Sequence, residues 1–341
     1  MTAIAAAIGA FAAEIACASS HIGRRVVVDE ARVADRGRFI SLQPPGLWSP
    51  NRSCRMAPAA DGWIVANLPR ESDRELVPAW VGCHAEAAPW PAILRAARDA
   101  PWRTLVADAR LLGLPVAGVG EVQAARPDAS LHRLAAGAHR SDRALKVVDL
   151  SSLWAGPLCG AVLAEAGAVV TKIESRRRPD VLRDASPEFF ERLNGRKTQA
   201  ILDFNDADEV ARLGDAIAAS DIVITAARPR AFAQLGLSPQ AMFARNPGLT
   251  WVAISGYGWM GQGADRVAFG DDAAAAGGLV RWAADGTPRF LGDALADPLT
   301  GLAAAAGALK AVGLGGGFLV DAGLAVTAAG AAAQHQSAGA T

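Results

Sequence analysis

Residues Leu145 to Ser175 read LKVVDLSSLWAGPLCGAVLAEAGAVVTKIES. Lys146–Leu150 is a short apolar run, Gly156-Pro157 breaks it, an Ala-rich helical stretch runs to Gly167, and Ala168–Ile173 is a second apolar run. That is the pattern of a βαβ unit. The alternation continues outward: Gln199–Phe204 strand, Asp206–Ser220 helix, Asp221–Ala226 strand, Ser238–Arg245 helix, Leu249–Ser255 strand. Asp206 and Ser238 are expected N-caps, the latter followed by proline at the first helical position. Continuous Val/Ile runs suit parallel strands buried on both faces. The expected fold class is α/β, with a doubly wound, Rossmann-like parallel sheet.

The residues before this region are less regular. Met1–Ala18 predicts a helix, 41–60 a Pro/Ser/Arg-rich loop, Gly62–Leu68 a strand, and Ala92–Leu112 one or two helices broken at Pro101. Residues 115–142 read as a connector, and the tail AAAQHQSAGAT as frayed. We expect a smaller α+β domain over 1–140 and the α/β domain over 141–341.

Composition bounds the function. The 341 residues carry 34 Lys+Arg and 34 Asp+Glu, so no global basic field favours nucleic acid or an anionic membrane. Cys17, Cys54, Cys83 and Cys159 are scattered, with no metal-ligand or redox spacing, and fit a reducing compartment. The apolar start lacks a basic flank and contains Glu14, unlike a signal peptide. The expectation is a soluble cytoplasmic protein without a metal site.

No nucleophile elbow, Walker A loop or zinc-protease signature is present. His21, His84, His132, His139 and His335 all fall in the first half or the tail, which disfavours a Ser–His–Asp triad in the α/β half. Carboxylates remain. Read locally, Asp297 followed by Pro298 is an N-cap, and Asp271-Asp272 a solvated turn. Arg176-Arg177-Arg178, beyond a strand end, is either a surface cluster or a phosphate clamp. Gly315-Gly316-Gly317 is a turn or a mobile loop over a ligand. Trp154, Trp259 and Trp282 read as core or interface aromatics before they read as pocket walls.

Leu145–Ser175 resembles the opening of the class III CoA-transferases, the CaiB/BaiF family: a strand, an A-G-P turn, then G-A-x-V-x-K-I-E. Further matches follow in the family's order: L-N-x-x-K at Leu193–Lys197 with L-D at Leu202-Asp203, R-P at Arg228-Pro229 with L-G-L at Leu235–Leu237, V-x-I-S-G-[FY]-G at Val252–Gly258, and A-D-x-x-T-G at Ala296–Gly301. They cover 145–325. The resemblance implies that Asp297 is a nucleophile that attacks an acyl-CoA thioester, and that an acceptor carboxylate then takes over the CoA. It implies CoA contacts at Ala155, Gly156, Pro157, Lys172, Glu174, Arg176, Arg196 and Lys197. CoA is then a substrate and no cofactor is permanently bound. The partners implied are acyl-CoA, a carboxylic acid and a second copy in an interlocked homodimer.

Two departures stand out. Ala60–Leu68 (ADGWIVANL) and Arg110–Val119 (RLLGLPVAGV) resemble segments that come later in the family, so the order is permuted or the first half is a diverged extra copy. The family's racemases use a G-H-D turn, and here Gly270-Asp271-Asp272 lacks the histidine. That favours a transferase over an α-methylacyl-CoA racemase or isomerase, with a non-catalytic CoA-binding protein as a further alternative.

Overall fold

Six parallel strands form the middle of the molecule. In chain order they are β5 (Lys146–Asp149), β6 (Val169–Ser175), β7 (Thr198–Leu202), β8 (Ile222–Thr225), β9 (Thr250–Ser255) and β12 (Phe318–Gly323). The numbering starts earlier because β1 (Cys54–Ala59), β2 (Gly62–Asn67), β3 (Val116–Gly118) and β4 (Ser130–Arg133) precede them; β10 (Val280–Trp282) and β11 (Pro288–Phe290) form a separate two-stranded ribbon. The computed structural model describes residues 2–137 and 143–338.

Across the large sheet the strands run β7-β6-β5-β8-β9-β12, with β4 antiparallel on the β12 edge. The parallel part reverses its winding between β5 and β8, the topological switch point of a doubly wound sheet. Alternate residues feed two cores. Ile222, Ile224, Val252 and Val320 face the helices Ala155–Glu165 and Ala296–Gly313, while Val223, Trp251, Ala253 and Leu319 face Leu213, Ile217, Phe232 and Phe243. Covering both faces is why these strands lack polar alternation.

The helix Ala296–Gly313 is almost entirely Ala, Gly and Leu and is buried on nearly all sides. A helix that is apolar all round belongs inside a core. The N-terminal helix Thr2–Ser20 packs into the same core through Ile8, Phe11 and Ile15.

The expected caps are present: Asp206 accepts from Glu209 N at 2.9 Å, and Ser238 from Ala241 N at 3.3 Å. Pro101 separates the helices Pro89–Asp99 and Trp102–Leu111, which cover β1-β2-β3 with Ile93, Leu105 and Val106, beside Trp80 of the helix Val77–Val81. The smaller unit is confined to this sheet and its helices. The helix Thr2–Ser20 packs into the core of the large layer, and β4 joins that layer by pairing with the β12 edge. The boundary expected at 140/141 and His139 lie outside the described residues. The tail is helical as far as Ala338, and 339–341 lie outside the described residues.

The Gly315–Gly317 run is a turn before β12, at the amino ends of the strands, where Gly317 N donates to Leu249 O at 2.9 Å. It lies away from the carboxyl ends of the strands. Trp154 and Trp259 are core residues; Trp282 is exposed on β10. Among the described residues no helix is long and apolar enough to cross a membrane.

Candidate active site

The switch point places a crevice at the carboxyl ends of β5 and β8. A cavity of about 400 Å³ opens there. Its walls are the segments singled out in the sequence: Ala155 and Gly156 of the A-G-P turn, Arg228 of the R-P segment, Ile254–Gly256 at the end of β9, and Asp297.

Asp297 does not cap its helix. It is the second residue of Ala296–Gly313, and no side chain caps that end. Its carboxylate instead accepts the backbone N–H of Gly270. A Cβ at residue 270 would stand 2.2 Å from Asp297 Oδ2 and 2.7 Å from the Ala294 carbonyl, so only glycine permits this approach. Burial raises the Asp297 carboxyl to about 7, opposed by the Arg36 guanidinium and assisted by Asp271 and Asp293. Part of Asp297 stays open to the cavity. A carboxyl group poised near neutrality in a cleft is a candidate catalytic group.

Asp271 and Asp272 do not form a solvated turn. They open the helix Gly270–Ala276 and are both buried, because distant residues supply their donors. Asp271 accepts from Ala294 N at 2.8 Å and from Asn51 Nδ2 at 2.6 Å. Asp272 accepts from Phe269 N at 2.9 Å and from Asn67 Nδ2 at 2.8 Å. Burial and the neighbouring Asp293 raise Asp271 to about 6, and burial raises Asp272 to about 8. Asp272 Oδ2 and Asn67 Oδ1 have no partner. A proton on Asp272 turns Oδ2 from an unpartnered buried acceptor into a donor.

The folded state keeps the Asp272 proton where the unfolded chain has lost it, between about pH 4 and 8. The stability this confers is full below about pH 4, falls as pH rises from there, and is gone above about 8. Asp272→Asn, with a permanent N–H donor, is expected to match the parent near pH 4, where the parent carries the proton in both states. At pH 9 it should exceed the parent by about 1–3 kcal/mol in urea unfolding. An equal difference at both pH values would contradict the assignment.

Three non-glycine residues with left-handed backbone occur among the described residues, and each adjoins the site. Arg52 (φ 63°) follows Asn51, Leu153 (φ 67°) precedes the A-G-P turn, and Ala294 (φ 45°) follows Asp293. Each costs about 1–3 kcal/mol, a strain that concentrates at functional sites.

The turn is braced from behind. Lys197 Nζ donates to Asp149 Oδ2 (2.8 Å), Pro157 O (2.8 Å) and Asn194 Oδ1 (2.9 Å), so all three of its donors are used inside the protein. Asp149 also accepts from Ser151 N at 3.0 Å and from the Ser151 hydroxyl. Lys172 Nζ donates to Ser151 O (2.7 Å) and Asp180 Oδ2 (3.2 Å), with Glu174 at 3.6 Å. Arg183 forks onto Glu174 at 3.0 and 3.1 Å. Lys172, Glu174 and Lys197 are therefore buried in internal pairs.

Of the residues expected to touch CoA, Ala155 and Gly156 line the cavity, and Pro157 is buried behind it. Arg176 and Arg196 are exposed and do not line it; Arg176 is 3.9 Å from Glu209. The arginines on the cavity rim are Arg70, Arg178, Arg228 and Arg266. Burial lowers the Arg228 guanidinium from its ordinary value, and the cations of Arg230, Arg70 and Arg178 add to this. Arg178 belongs to the triple-arginine cluster and Arg228 to the R-P segment, so both carried a signal. Arg70, Arg36, Asn51 and Asn67 come from the first half and carried none. Among the described residues no cluster of His, Cys, Asp or Glu is arranged to hold a metal ion.

The model of CoA-transferase family III matches residues 143–338, more than half of the chain. The chain belongs to that family. The chain is similar to the succinyl-CoA–D-citramalate CoA-transferase of Chloroflexus aurantiacus, 30% identical over 177 residues that make up 49% of this chain and 44% of that protein. The alpha subunit of the succinyl-CoA–L-malate CoA-transferase of Chloroflexus aurantiacus is 34% identical over 196 residues, 53% of this chain and 46% of that one. The crystal structure of a CaiB/BaiF family protein from Brucella suis superposes with a TM-score of 0.52 at 27% identity, over 57% of this chain and 56% of that one. The chain spans less than half the length of these curated relatives.

Proposed function

We propose that this family III chain moves CoA from an acyl-CoA to a free carboxylic acid, with Asp297 as the covalent nucleophile. The observation that carries the reading is the placement of Asp297. It borders the switch-point cavity, has no capping task, is held by one backbone N–H, and lies in a cavity whose rim carries guanidinium groups.

The exchange runs through four attacks. An Asp297 carboxylate oxygen attacks the thioester carbonyl, CoA thiolate leaves, and an acyl–aspartyl anhydride remains. The thiolate attacks the aspartyl carbonyl, which releases the donor acid and leaves an aspartyl–CoA thioester. The acceptor carboxylate attacks that thioester and expels the thiolate again. The thiolate then takes the acceptor's acyl group from the new anhydride and frees the Asp297 carboxylate. CoA is substrate throughout, and no resident cofactor is required.

The rim arginines fit the phosphates of CoA. Arg178 and Arg228 form no ion pair among the described residues, and the mutual repulsion at Arg228 is relieved by an anion. In this reading Arg178 and Arg228 take the role expected of Arg176 and Arg196. Lys172, Glu174 and Lys197 position the A-G-P turn without touching ligand. Arg228→Ala is expected to weaken CoA binding about tenfold, the loss of one charge-assisted contact, and to leave binding of the phosphate-free acyl-pantetheine arm unchanged. Calorimetry with both ligands checks this.

The racemase alternative is weaker on geometry. Asp271, at the position of the missing histidine, has both carboxylate oxygens occupied and does not border the cavity. The relatives named above use succinyl-CoA, so the test starts there. The protein is incubated with succinyl-CoA and a panel of dicarboxylic acids, and new acyl-CoA species are read by mass spectrometry. New CoA thioesters support the reading. CoA binding without any exchange, or exchange of the α-proton with solvent deuterium instead, contradicts it. A homodimer completes the reading, and mass in solution checks it.

A further inference from the structure

The segment that precedes the family match brings a cation to the carboxylates around Asp297. Arg36 forks onto Asp293, Nε to Oδ2 at 2.7 Å and Nη2 to Oδ1 at 2.9 Å. Its guanidinium lies 5.3 Å from the ring centroid of Trp154, the residue just before the A-G-P turn. Asn51 closes the other side of the cluster, donating to Asp271 Oδ2 at 2.6 Å and to Asp293 Oδ1 at 3.1 Å. The Asp293 side chain is 5% exposed and that of Arg36 16%, so solvent screens the pair weakly.

The charged groups that face Asp297 are Arg36 from the N-terminal segment, Asp271 from the helix Gly270–Ala276, and Asp293 from the turn before its own helix; the Gly270 N–H is the remaining polar partner. Three carboxylates thus share one guanidinium. Asp293 also leads directly into Ala294, whose N–H goes to Asp271 and whose carbonyl accepts Asp297 N at 2.9 Å.

We propose that Arg36 is the positioning residue for Asp297: by its fork it cancels the charge of Asp293 and fixes the turn that aims Asp297 into the cavity. It acts through Asp293 and not on the substrate. The inference rests on the reading of Asp297 as the nucleophile. An arginine is needed because a lysine cannot reproduce the two-bond fork, although it keeps the charge.

The test reads protonation directly, without turnover. The full chain is prepared with 13C in the aspartate side-chain carboxyls, and the Asp297 resonance is assigned by its loss in Asp297→Asn. Titrations are compared for the parent, Arg36→Met and Arg36→Lys. The Met variant keeps the stem beside Trp154 but has no charge. Its Asp297 midpoint is expected to rise by about one pH unit or more, a tenfold change in proton affinity, and that of the Lys variant by less. The acid limb of the CoA-exchange rate should move with it, with kcat at pH 7 reduced, recovery by pH 9, and KM for acyl-CoA unchanged.

The double variant Arg36→Met/Asp293→Asn removes both charges and is expected to bring the midpoint part of the way back to that of the parent. It serves as the test if the single Met variant fails to fold. A midpoint that stays put in Arg36→Met, or that moves as far in the double variant as in the single one, overturns the proposal. Its failure is separable from that of the transferase reading. An Asp297 that is acylated equally in parent and Arg36→Met, with the same pH profile, removes Arg36 and leaves the transferase. A shifted midpoint on an Asp297 that never carries an acyl group does the reverse.

Discussion

Asp297→Asn is expected to lower the rate of CoA exchange by about 10³-fold or more, with the fold and the binding of CoA retained. An amide cannot form the anhydride, yet it fills the same space and still accepts the Gly270 N–H. The parent enzyme should also show an acid limb. Its Asp297 carboxyl, raised to about 7, must lose its proton before it attacks, so the rate climbs as pH passes upward through that value. Steady-state exchange between pH 5.5 and 9 tests both statements. A variant that keeps a tenth of the parent rate, or a flat profile across pH 7, would contradict the nucleophile.

The second large effect is on stability. Lys197→Met leaves the Asp149 carboxylate fully buried without its cation, and leaves Pro157 O and Asn194 Oδ1 without their donor. Removing one partner of a buried pair costs about 3–5 kcal/mol. Burial pulls the Lys197 ammonium below its ordinary value while Asp149 opposes this, as expected of a cation that depends on its partner. The double variant Asp149→Leu/Lys197→Met carries no uncompensated charge and is expected to regain part of the loss. Urea unfolding of the single and double variants decides. If the single variant lost less than about 1 kcal/mol, Lys197 would not be the brace of the A-G-P turn.

What the sequence made legible, and what it did not, follows from distance along the chain. Asp206, Ser238 and Pro101 mark helix ends through contacts within a few residues, and all three were readable. The parallel strands were readable because burial on both faces leaves a continuous apolar run. The strand β4 was hidden: SLHR has no apolar pattern, and it is a strand only because β12 offers an edge. Asp271 and Asp272 were misread as solvated because two adjacent acids signal solvent locally. Their donors, Asn51 and Asn67, lie 220 and 205 residues away in the chain. The Arg36–Asp293 fork spans 257 residues. Among the arginines, a cluster is visible in sequence, but which members face the cavity depends on where the chain turns after β6 and β8. Asp297 stood out through the family resemblance, since local pattern alone made it a cap.

The central claim is that Asp297 carries the acyl group. The most direct measurement is to quench the protein with hydroxylamine during turnover of succinyl-CoA and to map the peptides by mass spectrometry. The account predicts a hydroxamate on Asp297 that is absent without acyl-CoA and absent from Asp297→Asn. An unmodified Asp297 in a protein that is exchanging CoA, or a hydroxamate on another carboxylate, would contradict it.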